Sequence, residues 1–233
     1  MSKTKKTVLL SLAAITLAGT TFSVFASNTQ ATDQSALQAK EQQILRANPS
    51  MDPKALDTAI RAYSNLRVQG KDPQQMLTLI DYNDPSFKKR LWVIDMKNAK
   101  VEYNTYVAQG KGTGLIYAKH FSDKAGTDAS SLGVYLTGNT YEGEHGYSMR
   151  LHGLDKGFND NAYKRAVVMH SAWYVGQKFV KAHGYTGRSW GCTALSQRME
   201  PKVVKAIEDG TVLVGYYPDK HWLDSSKYTQ KMA

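Results

Sequence analysis

The feature that most constrains this chain is a change of hydrophobic period near residue 87. Before it, apolar residues recur at helical spacing. After it, short apolar runs alternate with Gly- and Asn-rich connections, the pattern of many short strands. The helical part starts with Leu37, Ile44 and Leu45 and is interrupted at Asn48-Pro49-Ser50. Asp52 then reads as an N-cap with Pro53 at the first helical position. Ala55, Leu56, Ala59, Ile60, Tyr63 and Leu66 form a stripe that runs out near Gly70. A second cap-and-proline pair, Asp72-Pro73, predicts another short helix through Met76, Leu77 and Ile80.

Strands are predicted at Arg90 to Met96 and Val101 to Ala108, joined by a turn at Lys97-Asn98-Ala99-Lys100. Further strands are expected at Leu132 to Thr137, Tyr147 to Leu151, Ala166 to His170 and Thr211 to Tyr217. One late helix, Pro201 to Glu208, lies between Pro201 and the closing Gly210. Gly110, Gly112 and Gly114 punctuate a loop without the strand–helix context of a phosphate-binding motif. The sum is a mainly β fold, a sandwich or barrel-like core with a helical N-terminal extension. The expected organisation is a signal peptide at 1–26, a helical extension at 27–85, a main β domain at 86–217 and a polar surface tail at 218–233.

The signal peptide rests on Lys3, Lys5 and Lys6, an apolar run from Val8 to Leu17, and small residues at Val24-Phe25-Ala26. Cleavage after Ala26 predicts export to the periplasm or cell envelope, with no membrane-spanning segment in what remains. The full chain carries 30 basic and 20 acidic residues, net +10, and the signal removes three Lys and no acid, leaving +7. A basic exported protein attracts anionic partners such as the cell wall or lipid head groups. No Lys/Arg cluster interleaved with aromatics points to nucleic acid.

Cys192 is the single cysteine of 233 residues. An exported chain gains from disulfides, and one cysteine cannot form one internally. Either the thiol is buried as a small apolar group or its reactivity is used. It follows Gly191 in Gly187-Arg188-Ser189-Trp190-Gly191-Cys192-Thr193, where glycine allows the tight backbone an oxyanion hole requires. About twenty residues earlier, Val167-Val168-Met169 ends in His170-Ser171, which places a histidine at a strand mouth. A Cys nucleophile needs such a base, and the base needs an acceptor on its other nitrogen. No Asp or Glu is placed to serve; the carbonyl of Ser171 is available. Of the other histidines, His120, His183 and His221 are assigned to the surface or to structure. No short metal-ligand spacing links any of them to Cys192, so neither a metal nor a cofactor is expected.

Taken together, these residues resemble a family. His-Ser followed by Ser-x-Gly-Cys is similar to the active-site signature of L,D-transpeptidases. The wider blocks resemble the murein L,D-transpeptidase catalytic-domain branch. They are Lys119-His120-Phe121-Ser122, Ser130 to Tyr135, Gly143 to Ser148, Gly153-Leu154-Asp155, Asn159 to Ala162, Arg165 to His170 and Gly187 to Cys192. The resemblance implies an L,D-transpeptidase-like fold, with Cys192 as nucleophile and His170 as base. It implies Ser171 as the carbonyl that orients the base, and amides of Gly191 and Cys192 as the oxyanion hole. It also implies peptidoglycan stem peptides as substrate, a thioester on Cys192, release of D-Ala and transfer to an amine, with covalent inhibition by carbapenems. Hydrolysis of the same bond, or wall binding without catalysis, are the alternatives.

Substrate contacts are expected from Arg188, Ser189, Trp190, His152 and Tyr174. Arg188 is either a carboxylate partner or a solvated side chain. His152 either lines the pocket or is structural. Tyr174 and Trp190, like Trp173, are cleft walls or packing. Trp190 stands where many family members have His, and the span between His170 and Cys192 implies an enlarged loop at 172–186.

Overall fold

The computed structural model describes residues 34–231. The expected signal peptide at 1–26 lies outside the described residues. Residues 34–47 are helical (α1). The chain divides into two compact units, Met1–Ala39 and Lys40–Ala233, and every strand belongs to the second.

Helix α2 spans Pro53–Arg67, and its start matches the sequence reading. The Asp52 carboxylate accepts from the amides of Lys54 at 2.7 Å and Ala55 at 3.2 Å, which satisfies two N–H groups the helix itself leaves unpaired. The expected stripe Ala55, Leu56, Ala59, Ile60, Tyr63 and Leu66 is buried, and the helix packs on the first and last strands of the sheet.

The next segment departs from expectation. Met76–Asp81 is a strand, β1, and not a helix. Pro73 follows Asp72, but Asp72 has φ 53 and does not open a helix. Its buried carboxylate accepts from Met76 N at 3.2 Å and Val212 N at 3.3 Å, tying the start of β1 to that of the last strand, β8 (Val212–Tyr216). A six-residue apolar run buried on both faces has no periodicity that separates strand from helix, and this one is flanked on both sides by sheet. The boundary expected at 85/86 therefore cuts through the sheet.

The other strands are β2 (Leu91–Asp95), β3 (Lys100–Thr105), β4 (Gly133–Gly143), β5 (Gly146–Gly153), β6 (Val168–Ser171) and β7 (Thr193–Leu195). With β1 and β8 they form one sheet in the order β3-β2-β1-β8-β4-β5-β6-β7. Two neighbouring pairs, β1/β8 and β6/β7, are parallel and the rest antiparallel. The β2–β3 turn falls at the predicted residues. Asp95 accepts from the amides of Lys97 and Asn98, and the positive φ of 51° is carried by Ala99. Three residues past β3, Ala108 N donates to Ala194 O of β7 at 2.9 Å. That bridge brings the two sheet edges together, so the sheet curls on itself into the expected barrel-like form. Helix α3 (Gln177–His183) fills the enlarged loop between β6 and β7, and α4 (Glu200–Ile207) covers β6 and β1.

Residues 218–231 are not a surface tail. Helix α5 (Lys220–Ser225) inserts Trp222, which is fully buried. The buried Asp155 carboxylate accepts from Trp222 Nε1 and Val134 N, both at 2.8 Å, and from Ser226 Oγ at 2.6 Å. Asn159 completes the knot, accepting from Asp155 N and donating to Val134 O. Gly133, at φ 123, is required there, because a Cβ would stand 2.4 Å from Asn159 Nδ2. A buried carboxylate with three donors is well satisfied, and the C-terminal segment brings two of them.

Candidate active site

His170 lies on β6 with a strand on each side: it pairs with Ser148 of β5 and Ala194 of β7. The side chain is buried, and its Nδ1 lies 2.9 Å from the Ser171 carbonyl oxygen. A carbonyl only accepts, so Nδ1 carries the proton and Nε2 presents its lone pair. Among the described residues Nε2 has no hydrogen-bond partner. Burial is the main cause that lowers the His170 pKa below its ordinary value of 6.5; the Ser171 carbonyl opposes the shift and His145 reinforces it.

Cys192 immediately precedes β7 and is half-buried. Its Sγ is 3.6 Å from the Ala166 carbonyl, and the Val168 amide donates to it. Burial pushes the thiol above its usual range, while the Val168 amide and the Arg165 guanidinium pull the other way. The two shifts favour neutral thiol with neutral imidazole over a preformed ion pair. Cys192 lies just before the strand that adjoins that of His170, and no hydrogen bond joins the two side chains.

The backbone around the nucleophile is tightly held. Ser189 Oγ donates to Cys192 O at 2.7 Å and accepts from Gly191 N at 3.2 Å. Ser189 is buried, so it staples the loop and does not face a substrate. Its bond also occupies the Gly191 amide, one of the two expected oxyanion donors. Gly191 has φ 115, and a Cβ there would stand 2.9 Å from Ala129 O.

The glycine run that the sequence left without a role packs here. A Cβ on Gly110 would lie 2.9 Å from Gly191 Cα and 2.3 Å from Asp128 O, and one on Gly112 would lie 2.1 Å from Thr127 O. Lys111 N donates to Ser189 O, and Ser189 N donates to Gln109 O. Two backbones thus meet under the Cys loop with no room for side chains.

Arg165, in the block before His170, donates to Ser122 O, Ser131 Oγ and Ala129 O at 2.7–2.8 Å and lies 3.6 Å from the Asp123 carboxylate. It pins residues 122–131 against the loop.

The other expected residues scatter around this centre. Tyr174 packs on Gly187 and against Ala108 and Ala194, and lies close enough to Cys192 for the thiolate to help raise its phenol pKa, after burial. It packs under the loop and lies near the sulfur. Trp190 is 76% exposed, with Lys111 Nζ 5.4 Å from its ring centroid. Arg188 is exposed and donates to Lys111 O at 3.3 Å. His152 is exposed on β5 and stacked on Tyr163 at 4.9 Å.

Besides Arg165, one more residue at the site had no role of its own in the sequence reading. His145, in the β4–β5 turn, stacks on His170, and its carbonyl is 3.5 Å from Ser171 Oγ. The block Gly143-Glu144-His145-Gly146 was the available signal, but its place over the base depends on the register of β5 and β6. Among the described residues no group of three or more His, Cys, Asp or Glu side chains forms a cluster that would hold a metal ion.

The family described as the L,D-transpeptidase catalytic domain matches residues 47–216, well over half of the chain. The chain belongs to the L,D-transpeptidase family. The matched range starts in the helical segment before β1 and ends at β8, so it includes the strand that the sequence reading placed outside the catalytic domain.

No curated protein matches the chain. Solved structures similar to it include an L,D-transpeptidase from Mycobacterium smegmatis, 12% identical, covering 63% of this chain and 69% of the other at TM-score 0.36. An LD transpeptidase in complex with imipenem is 14% identical, covering 61% of this chain and 55% of the other at TM-score 0.32. The helical cell shape determining protein Pgp2 from Campylobacter jejuni is 12% identical, covering 73% and 58%, at TM-score 0.40. Likenesses this distant carry no argument about chemistry. Among the described residues no helix is long and apolar enough to cross a membrane.

Proposed function

We propose that this L,D-transpeptidase family member is an exported cysteine acyltransferase acting on peptidoglycan stem peptides. The observation that carries the reading is the Nδ1–H of His170 bonded to the Ser171 carbonyl, which leaves Nε2 as the base, on the strand that adjoins the Cys192 loop.

Both groups start neutral, so thiol deprotonation accompanies attack. Sγ of Cys192 bonds to the carbonyl carbon at the L-centre of diaminopimelate while His170 Nε2 takes the thiol proton. The oxyanion is held by the Cys192 amide; recruiting the Gly191 amide requires it to leave Ser189 Oγ. The C–N bond to D-Ala then breaks, His170 returns the proton to the leaving amine, and a thioester remains. An acceptor amine attacks the thioester, loses its proton to His170 and releases the sulfur, which is reprotonated. Carbapenems acylate the same sulfur. Residues 1–26 direct the chain to the periplasm or cell envelope.

Incubation with disaccharide tetrapeptide tests this by mass spectrometry. Cross-linked dimers with released D-Ala support transfer. Tripeptide and D-Ala alone support the hydrolytic alternative. Neither product, together with no carbapenem adduct on Cys192, refutes the enzyme and leaves the wall-binding alternative.

A further inference from the structure

The face of β5 and β6 that carries His170 also carries a cation that the reaction as proposed does not use. In the register of β5 and β6, Ser148 pairs with His170 and Arg150 with Val168. Paired residues share a face, so Arg150 lies on the His170 face, while its neighbours Met149 and Leu151 are buried in the core. Val168 is also the residue whose amide donates to the Cys192 sulfur. Arg150 is therefore one strand away from the residue that touches the nucleophile.

Its guanidinium is fixed but not neutralised. The Cζ atom is 4.6 Å from the Tyr141 ring centroid and 5.4 Å from that of Tyr163, and Tyr163 is itself backed by His152 at 4.9 Å. Stacking holds the plane of the group without using its N–H donors. Among the described residues no carboxylate lies within ion-pair distance of Arg150 and no oxygen accepts from it. On β4, Gly138 packs closely against the same two side chains, since a Cβ there would come within 3.2 Å of Arg150 Cβ and 2.7 Å of His152 Nε2. An oriented fork with unspent donors matches a carboxylate, which it binds through two parallel hydrogen bonds.

We propose that Arg150, held between Tyr141 and Tyr163, is a carboxylate-binding residue that receives a free carboxylate of the donor peptide while its scissile carbonyl lies at Cys192. The inference rests on the acyl-donor reading above. The two residues that flank the scissile bond offer two such groups, on the departing residue and on the diaminopimelate side chain.

The test uses three tetrapeptides: unmodified, amidated on the departing residue, and amidated on the side-chain carboxylate. D-Ala or D-Ala-amide release is followed with the wild-type protein and with R150M and R150K. The wild type is expected to lose at least tenfold in kcat/KM on one amidated peptide, which identifies the carboxylate. R150M is expected to lose at least tenfold on the unmodified peptide and to stop discriminating. R150K is expected to fall between. Alkylation of Cys192 by neutral iodoacetamide should stay within twofold in R150M, which excludes a collapsed site. Binding of the unreactive tripeptide, free or side-chain-amidated, is measured in parallel by calorimetry. If no peptide is turned over but R150M weakens tripeptide binding tenfold, the carboxylate site stands and the acyltransferase reading fails. Unchanged turnover and binding in R150M, or unchanged discrimination between the peptides, overturns the proposal.

Discussion

The imidazole of His145 stacks on that of His170, with ring centroids 4.5 Å apart and planes inclined by 27°. The two rings come from different strand pairs, so the turn of the β4–β5 hairpin forms a lid over the base. His145 also adds to the lowering of the His170 pKa, after burial. A lowered pKa keeps His170 in its base form at pH values under 6.5, so the acid limb of the acylation profile is expected below that value. His145→Phe keeps a stacked ring and removes the charge, so the limb should move upward. A pH profile of carbapenem acylation for the two proteins checks this; a downward shift would contradict it.

His170→Ala removes the base that the Ser171 carbonyl orients. Acylation of Cys192 is expected to slow by about a hundredfold or more, the usual scale for losing a positioned base. Stopped-flow acylation combined with mass spectrometry of the adduct measures it. Near-normal acylation would sink the assigned role.

Ser189→Ala should damage the loop more than the fold. It deletes the bond to Cys192 O and the acceptor for Gly191 N. Two buried partners lost cost about 1–3 kcal/mol in stability. Because the lost bonds lie inside the nucleophile loop, acylation should slow even at temperatures where the variant is fully folded. Wild-type acylation by folded Ser189→Ala would show that the staple is dispensable.

Glu200 gives a stability prediction with a definite sign. It is buried at the start of α4 with Oε1 unpaired, and burial, helped by Glu142, raises its pKa from 4.5 to about 7. The folded state therefore holds the proton more tightly than the unfolded chain does. The stability this contributes is present below 4.5 and is lost as pH rises through about 7. Glu200→Gln should be close to neutral at about pH 5 and stabilising, on the order of 1–3 kcal/mol, at about pH 8.5. Urea unfolding at the two pH values would expose an opposite ordering.

A chain that begins near residue 85 should fail to fold. It lacks β1, which lies between β2 and β8 in the sheet, together with the α2 face that covers it. Trp222→Ala should likewise cost about 3–5 kcal/mol, the scale of a large core truncation. Circular dichroism and solubility decide the first case, thermal melts the second.

The contrast between β1 and α2 shows where sequence reasoning ran out. Asp52-Pro53 and Asp72-Pro73 look alike as helix starts. The first is followed by a 15-residue helix with a periodic stripe, the second by a six-residue run buried on both faces. Only the neighbouring strands decide what such a run becomes. At the candidate site, His170 and Cys192 could be picked out as a pair to test because each belongs to a short local motif, and the structure places them on neighbouring segments. The Ser171 carbonyl was legible too, since it is one residue away. His145 and Arg150 were not, because each reaches the cleft through pairing across β5 and β6. Trp222 was hidden for the same reason: its partner Asp155 is 67 residues away.

The bridge between Ala108 and Ala194 is a slender closure. Strand β7 is three residues long, and it holds Cys192 in place only while β6 grips one side and Ala108 the other. The nucleophile sits at the seam of the curled sheet, where a few hydrogen bonds decide whether the ring is shut. Opening that seam would silence the sulfur while the rest of the molecule stays intact. Heat should therefore extinguish activity before it melts the protein, and a reversible gap between the two temperatures would make the seam itself a means of control.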